Sequence, residues 1–354
     1  MTIEYLDSRR ISGLSTDTKP TNVETNSIFI ETDTPARKWF DGSEWIDPSI
    51  IVYTYGVYSN GGYVPGGASQ VNTIDYITIA STGNATDFGD STVYCFNRGA
   101  VTNGSRGCYA GGGRTATAPN NGPPYEFNVI DYVTISTPSN ATDFGDLSSA
   151  REGMSGGVDD STRGVFAGGY VSPTRYNILE YITIATTGNV TDFGDLSMGM
   201  ATYSGVNDDS RGVWAWGYSG GFTNVMEYIT IATTGNSTDF GDLSVARDIP
   251  EGNVYSSTRG VFAGGYNSSY THQNVMDYIT IQTTGNAIDF GDLATGNASP
   301  SGSTSLTRGC YGGGSESGTR TNRIQYITID TTGNTTDFGD LTQARSGCSA
   351  ASGG

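Results

Sequence analysis

A twelve-residue interval that recurs six times constrains this chain more than any other feature. The pattern Tyr-x-Thr-Ile begins at Tyr76, Tyr132, Tyr181, Tyr228, Tyr278 and Tyr326. Twelve residues after each Tyr stands the Phe of Asp-Phe-Gly-Asp, at Phe88, Phe144, Phe193, Phe240, Phe290 and Phe338. The steps from one Tyr to the next are 56, 49, 47, 50 and 48 residues. A period of this size marks a supersecondary unit that cannot bury its apolar surface alone and stacks on copies of itself.

Each unit divides into four strand-sized pieces. In the third copy these are SGGVDD (strand a), RGVFAGG (strand b), ILEYITI (strand c) and VTDFGD (strand d). Strand c is partly apolar on both faces, which suits a sheet covered on both sides. Asp159-Asp160-Ser161-Thr162 and Thr187-Gly188-Asn189 are made of turn formers. With 51 Gly, and 22 Tyr against 4 Trp, the composition favours short strands and tight turns over helices. Copies arranged about an axis bury both faces and leave only short edges.

The sequence therefore predicts an all-β chain: a six-bladed β-propeller over residues 50–354, preceded by a small β-meander in residues 1–49. Strand b recurs as Arg-Gly-led segments at Arg106, Arg163, Arg211, Arg259 and Arg308, and a further one is IVYTYGV from Ile51. A final strand a, within 344–354, is left without a following strand b. It is expected to close the ring by pairing with the strands of residues 51–90. In the N-terminal segment, residues 1–26 read as extended or locally disordered. SIFIETD alternates as a half-buried strand, and RKWF and SEWI flank the turn-forming Asp41-Gly42, giving three strands between Ser27 and Ile46.

Acids outnumber bases 36 to 18, a net charge of −18 that opposes binding to nucleic acid or to an anionic membrane. No stretch is apolar enough for a spanning helix, and MTIEYLDSRR lacks a signal-peptide core, so the expectation is a soluble product of a cytoplasm with no membrane insertion. Cys95, Cys108, Cys310 and Cys348 have no zinc spacing and read as small packing residues, with a Cys95–Cys108 bridge as the alternative.

Comparison of the copies separates scaffold from candidate site. The a–b and c–d turns are nearly uniform, whereas the b–c segments differ in every copy. Those segments carry Tyr125, Phe127, Tyr170, Tyr176, Tyr218, Phe222, Tyr266 and Tyr270 among Ser, Gly and Asn. Variable loops on a rigid frame, rich in Tyr and small polar residues, are suited to recognition; unconstrained drift is the competing explanation. No catalytic residues are assigned. The chain has a single histidine, His272, with nothing marking an acid behind it. The Asp pairs of Asp-Phe-Gly-Asp recur in every copy, and a residue set that recurs six times is structure. Calcium is the remaining reading of those acids, without a recognised loop motif; no metal site and no other cofactor is expected. The Arg of each Thr-Arg-Gly, or its counterpart, is expected to pair with these acids. The Asn-x-Thr triplets at Asn84, Asn140, Asn189, Asn236 and Asn334 sit in the c–d turn, where Asn suits the backbone.

The Gly-Gly doublets Gly111-Gly112, Gly168-Gly169, Gly264-Gly265 and Gly312-Gly313, each followed by the Tyr and then a second aromatic, resemble the kelch repeat. The later aromatic is Phe where kelch proteins usually have Trp, and the fourth copy has Trp216-Gly217 in place of the doublet. TNSIFIETDTPARKWFDGSEW resembles a short module of bacteriophage tail and fibre proteins, and YITIATTGNATDFGDL-type repeats resemble those of phage virion proteins. The resemblance implies a non-enzymatic virion structural protein of tail-fibre or spike type. Residues 1–49 would dock on other virion proteins, and the b–c face would engage a host surface glycan or protein, or a neighbouring subunit. The alternatives are a purely architectural capsid or tail decoration propeller and a glycan-degrading propeller enzyme.

Overall fold

The chain divides into two compact units, Met1–Val52 and Tyr53–Gly354. The computed structural model describes residues 4–7, 10–13, 19, 28–31, 37–40, 45–46, 54–63, 69–114, 125–154, 156–201, 204–215, 217–248 and 252–353. All the regular structure in them is strand. The first unit holds one five-stranded sheet in chain order, Glu4–Asp7, Arg10–Gly13, Ile28–Glu31, Arg37–Phe40 and Trp45–Ile46. The first two of these strands lie in the stretch read from sequence as extended or locally disordered, to which no strand was assigned. They are four residues each and mix charge with apolar groups, so no local period announces them. Arg10–Gly13 is fixed instead by parallel pairing with Ile28–Glu31, a partner distant in sequence.

The second unit contains six sheets that share one core of four antiparallel strands in the order a–b–c–d. In the second repeat these strands are Gly99–Thr102, Arg106–Ala110, Val129–Thr134 and Thr142–Asp146. In the first repeat strand a is supplied by Ser349–Gly353, which pairs with Tyr55–Ser59. Strand c shows why the motif reads as it does. In Val225–Thr230 the core takes Met226, Glu227 and Ile229, Tyr228 is half-buried, and Thr230 faces solvent.

Each of the six apolar cores draws side chains from two successive repeats. One joins Val165, Leu179 and Phe193 to Trp214, Ile229 and Ile231 of the next. The sixth joins Cys310, Ile324 and Phe338 to Tyr58, Ile77 and Ile79, so the last repeat packs on the first. Burial of such side chains stabilises by roughly 1.5–3 kcal/mol each, and here every one of those contacts is between sheets as well as within them.

The recurrent motifs make the same connection in hydrogen bonds. The Asn of each c–d turn accepts from the backbone N–H of the second Asp of the preceding Asp-Phe-Gly-Asp, at 3.0–3.1 Å in all six repeats. The series returns on itself, Asn84 accepting from Asp340 N–H. Asn286, followed by Ala-Ile and no Thr, does the same work as the Asn-x-Thr residues. The Gly between Phe and Asp has φ of 140–150° in every copy. A Cβ there would come within 2.3–2.5 Å of the next turn's carbonyl oxygen, so only glycine permits the approach.

The Arg-Gly arginines do not pair with the Asp-Phe-Gly-Asp acids. Arg106, Arg163, Arg211, Arg259 and Arg308 stack on the Tyr of their own repeat at 4.1–4.5 Å. Each then donates to an Ile carbonyl of the following repeat at 2.9–3.2 Å. A cation on an aromatic face satisfies its charge without a carboxylate.

A second arginine set, invisible as a motif, is wholly buried. Arg98 pairs with Asp131 at 2.7 Å, Arg247 with Asp277 at 2.6 Å, Arg345 with Asp75 at 2.9 Å, and Arg151 with Glu180. The acid in each case immediately precedes the motif Tyr. Where the fifth-to-sixth junction has Asn297, the residue before Tyr326 is the neutral Gln325, which accepts from Ala294 N–H and Thr335 Oγ1. The third-to-fourth junction keeps the acid without an arginine: Met200 stands in the arginine's place, and the buried Glu227 accepts from Ser197 N–H and Ser237 Oγ. Removing one member of a buried pair strands the other, at a cost of about 3–5 kcal/mol. We therefore expect Arg98→Ala to lower stability by about that amount in denaturant titrations. The double change Arg98→Asn/Asp131→Gln, copying the two neutral residues of the fifth-to-sixth junction, should cost less than half as much. Equal losses would contradict the stranded-charge explanation.

Candidate functional site

Antiparallel order puts the a–b and c–d turns at one end of each sheet and the b–c segments at the other. At the b–c end, Tyr170, Tyr218 and Tyr266 occupy equivalent places, each bridged backbone to backbone with the segment that leads into strand a: Glu152, Ala201 and Asp248. From these anchors an aromatic run extends across three repeats. The Arg175 guanidinium lies 5.2 Å from the Tyr170 ring and 4.7 Å from the Tyr218 ring. Phe222 meets Tyr218 edge-on at 5.9 Å and Tyr270 at 5.7 Å.

Tyr270 ends the run and is 73% exposed. It sits in the left-handed region, φ 55°, which a bulky side chain avoids without support. Support comes from Asn267, whose side-chain oxygen accepts from Ser269 and Thr271 N–H and whose carbonyl accepts from Tyr270 N–H. A large exposed ring held in a strained, pinned turn is a candidate contact. Of the eight aromatics read from sequence, this run gathers Tyr170, Tyr218, Phe222 and Tyr270. Tyr266 faces His272 instead, ring centroids 4.5 Å apart. Phe127 lies 5.3 Å from Arg114, Tyr125 is exposed near it in sequence, and Tyr176 pairs backbone with Met200; these three stand outside the run.

Beside Tyr266 opens a cleft of about 430 Å³, lined by Tyr266, Ser299, Ser315, Gly318, Thr319, Arg320 and Ser346. His272 forms part of its support: Nε2 accepts from Gly318 N–H at 3.2 Å and lies 3.4 Å from Ser315 Oγ. Burial lowers the imidazole's pKa, keeping Nε2 free to accept. Sequence reasoning passed over Arg175 and Arg320, and considered His272 only as a catalytic group. The available signal was that the b–c segments carry arginines outside the repeated positions.

A third feature lies among the strands a, which neighbour one another from repeat to repeat. They enclose a cavity of about 20 Å³, room for one water molecule. Asp159 faces it, fully enclosed, accepting from Thr102 N–H at 2.7 Å and from Asn207 Nδ2 at 3.1 Å. Burial pushes its carboxyl up to about 8 against these hydrogen bonds, and Asp209 and Asp160 add to the rise. Among the described residues no three His, Cys, Asp or Glu side chains come together as a metal site. The four cysteines are buried and form no disulfide, which removes the Cys95–Cys108 alternative. Burial pushes the Cys95 and Cys310 thiols up to about 12, as inert packing groups.

No family model matches the chain, and no curated protein matches it. Among solved structures it is similar to one titled "Structure of YjhT", with TM-score 0.57 and 8% identity, over 73% of this chain and 87% of that one. At that identity the likeness concerns the fold. Since 397 solved chains match, a shared fold does not select a function.

The Asp159 carboxyl holds its proton in the folded chain to about pH 8, against an ordinary value of 3.8. Its contribution to stability is complete below about pH 4 and declines as pH rises through 8, by up to about 1.4 kcal/mol per unit. Thermal unfolding of Asp159→Asn and wild type at pH 5 and pH 8 should show the variant gaining relative stability at the higher pH. Parallel profiles would contradict the buried-acid assignment.

Proposed function

We propose that residues 53–354 form a six-bladed, kelch-like β-propeller and that the chain is a bacteriophage virion structural protein, a non-enzymatic binding module of tail-fibre or spike type. The architecture is supported by six sheets of one strand order, whose cores and Asn-to-Asp hydrogen bonds pass from each repeat to the next and back from the sixth to the first. Residues 1–49 would attach the module to other virion proteins, in keeping with their place in the separate compact unit Met1–Val52. The b–c end would engage the host surface.

The observation that carries the binding assignment is the contrast between the two ends. One end repeats the same Asn-to-backbone contacts six times. The other gathers Tyr170, Tyr218, Phe222 and Tyr270 into an aromatic run across three repeats, with no counterpart among the described residues of the others. The exposed Tyr270 ring and the half-buried rings behind it, with polar neighbours, suit the apolar faces and hydroxyls of sugars. Labelled full-length protein is expected to bind cells of the phage's host. Soluble surface glycan should compete, and Tyr270→Ala with Phe222→Ala should reduce binding at least tenfold at unchanged melting temperature. Undiminished binding would remove the run from the interface. Full occlusion of this end in the particle would favour the architectural alternative.

Glycan cleavage has one observation in its favour. Burial, with Glu126 nearby, pushes the Glu152 carboxyl up to about 7, in the range of a general acid. Release of reducing sugar that Glu152→Gln abolishes would establish that reading; no release from glycans that the protein binds would exclude it.

A further inference from the structure

We propose that the cleft beside Tyr266 is a subsite for an acidic sugar, with Arg320 holding the sugar's carboxylate. The inference rests on the b–c end being the recognition surface and adds the chemical class that this part of it takes.

The cleft's size, about 430 Å³, is that of a small-ligand site. Its lining is specialised: hydroxyls from Ser299, Ser315, Thr319 and Ser346, the Tyr266 ring, the Arg320 guanidinium and, among the described residues, no aliphatic side chain. Hydroxyl donors and acceptors around one ring face match a pyranose, whose rim is hydroxyl and whose faces are C–H. A peptide would ask for apolar pockets at alternate positions, and the described residues of this lining form none.

Arg320 differs from the other arginines of this unit already described. Four are buried against carboxylates, five stack on the motif Tyr and donate to a carbonyl, and Arg114 and Arg175 lie over other aromatic rings. Arg320 instead uses Nε to donate to Ser346 Oγ at 3.0 Å, and among the described residues no carboxylate pairs with it. In a chain with 36 acids and 18 bases, a half-buried guanidinium that among the described residues has neither an acid nor an aromatic face against it is conspicuous. Burial lowers its pKa, so a bound anion would relieve a desolvation cost already present. Its fork is also accommodated: a Cβ on Gly62 would come within 3.0 Å of Nη2. An anchored planar guanidinium offers the paired N–H donors that a carboxylate accepts in parallel. A single positive charge matches a carboxylate better than a phosphate dianion, which would add net charge to a chain at −18.

The cleft is built before any ligand arrives. Ser315–Glu316 pairs with Thr319–Arg320 and with Asn297–Ala298, which fixes the hairpin that carries Arg320. His272 closes the turn by accepting from Gly318 N–H. A preformed site avoids ordering cost on binding. The negative field of the whole chain is screened beyond about 8 Å at physiological ionic strength, so it does not cancel the local attraction.

Calorimetric or ligand-observed NMR titration of the full-length protein tests this, with methyl galacturonate, methyl galactoside and inorganic phosphate as probes at about 0.15 M salt. Galacturonate should bind at least tenfold more tightly than galactoside, and phosphate should compete more weakly than galacturonate. Arg320→Gln should abolish the preference, and Arg320→Lys, which keeps charge without the fork, should retain part of it. Ser346→Ala, which frees the guanidinium, should weaken galacturonate at least threefold and serves if Arg320→Gln fails to fold. Equal affinity for the two sugars in wild type, an unaltered preference in Arg320→Gln or Ser346→Ala, or stronger competition by phosphate would each overturn the assignment. Cell binding measured on the same proteins separates the two levels. Cells bound without any acid preference would leave the recognition face standing and remove this subsite. Acid preference without cell binding would uphold the subsite and remove the receptor reading.

Discussion

The structure depends on a contact made six times between the c–d turn of one repeat and the fourth strand of the repeat before it. The turn's Asn accepts from an aspartate N–H, and the turn's backbone settles against a glycine that no other residue can replace. Neither half of this contact is satisfied within its own repeat. A lone sheet would leave the aspartate N–H, the Asn oxygen and both apolar faces to water, so formation of one sheet favours its neighbour. Repeat arrays of this kind owe much of their stability to such nearest-neighbour terms. Here the series runs on until the last repeat meets the first.

The same logic divides the molecule by function. Residues that hold neighbours together must be alike in every copy, because each repeat is both donor to one neighbour and acceptor from the other. The b–c segments carry no such obligation. Their arginines and aromatics are used locally: Arg175 against Tyr170 and Tyr218, Arg320 toward a hydroxyl-lined cleft, His272 beneath a turn. The buried Arg–acid pairs belong to the scaffold despite their charge. Where the arginine is missing, Asn297, Gln325 and Glu227 are satisfied by backbone groups and hydroxyls instead.

Much of this was legible in the sequence, and the exceptions have physical causes. The all-β class and the positions of strands b, c and d followed from a two-residue alternation and a constant twelve-residue interval. The first two strands of the N-terminal sheet did not show, because short strands of mixed polarity take their register from a partner elsewhere in the chain. The Arg-Gly arginines were read as partners of the acids because opposite charge is the simplest pairing rule. The structure gives them the Tyr ring instead, an interaction that leaves no charge signal. Arg98, Arg151, Arg247 and Arg345 went unremarked since their spacing from the aspartate motif shifts in the second repeat. The aromatic run was legible only as a list of rings; which of them meet depends on loop geometry that composition does not encode.

The central claim is that the repeated end of the sheets is scaffold and the unlike end binds. Hydrogen–deuterium exchange of the full-length protein with and without a surface polysaccharide from cells that it labels reads both ends at once. The account predicts added protection in the segments around Tyr218–Phe222, Tyr266–Tyr270 and Ser315–Arg320, with the Thr-Gly-Asn turns unchanged. Protection confined to those turns, with the variable segments unaffected, would contradict it.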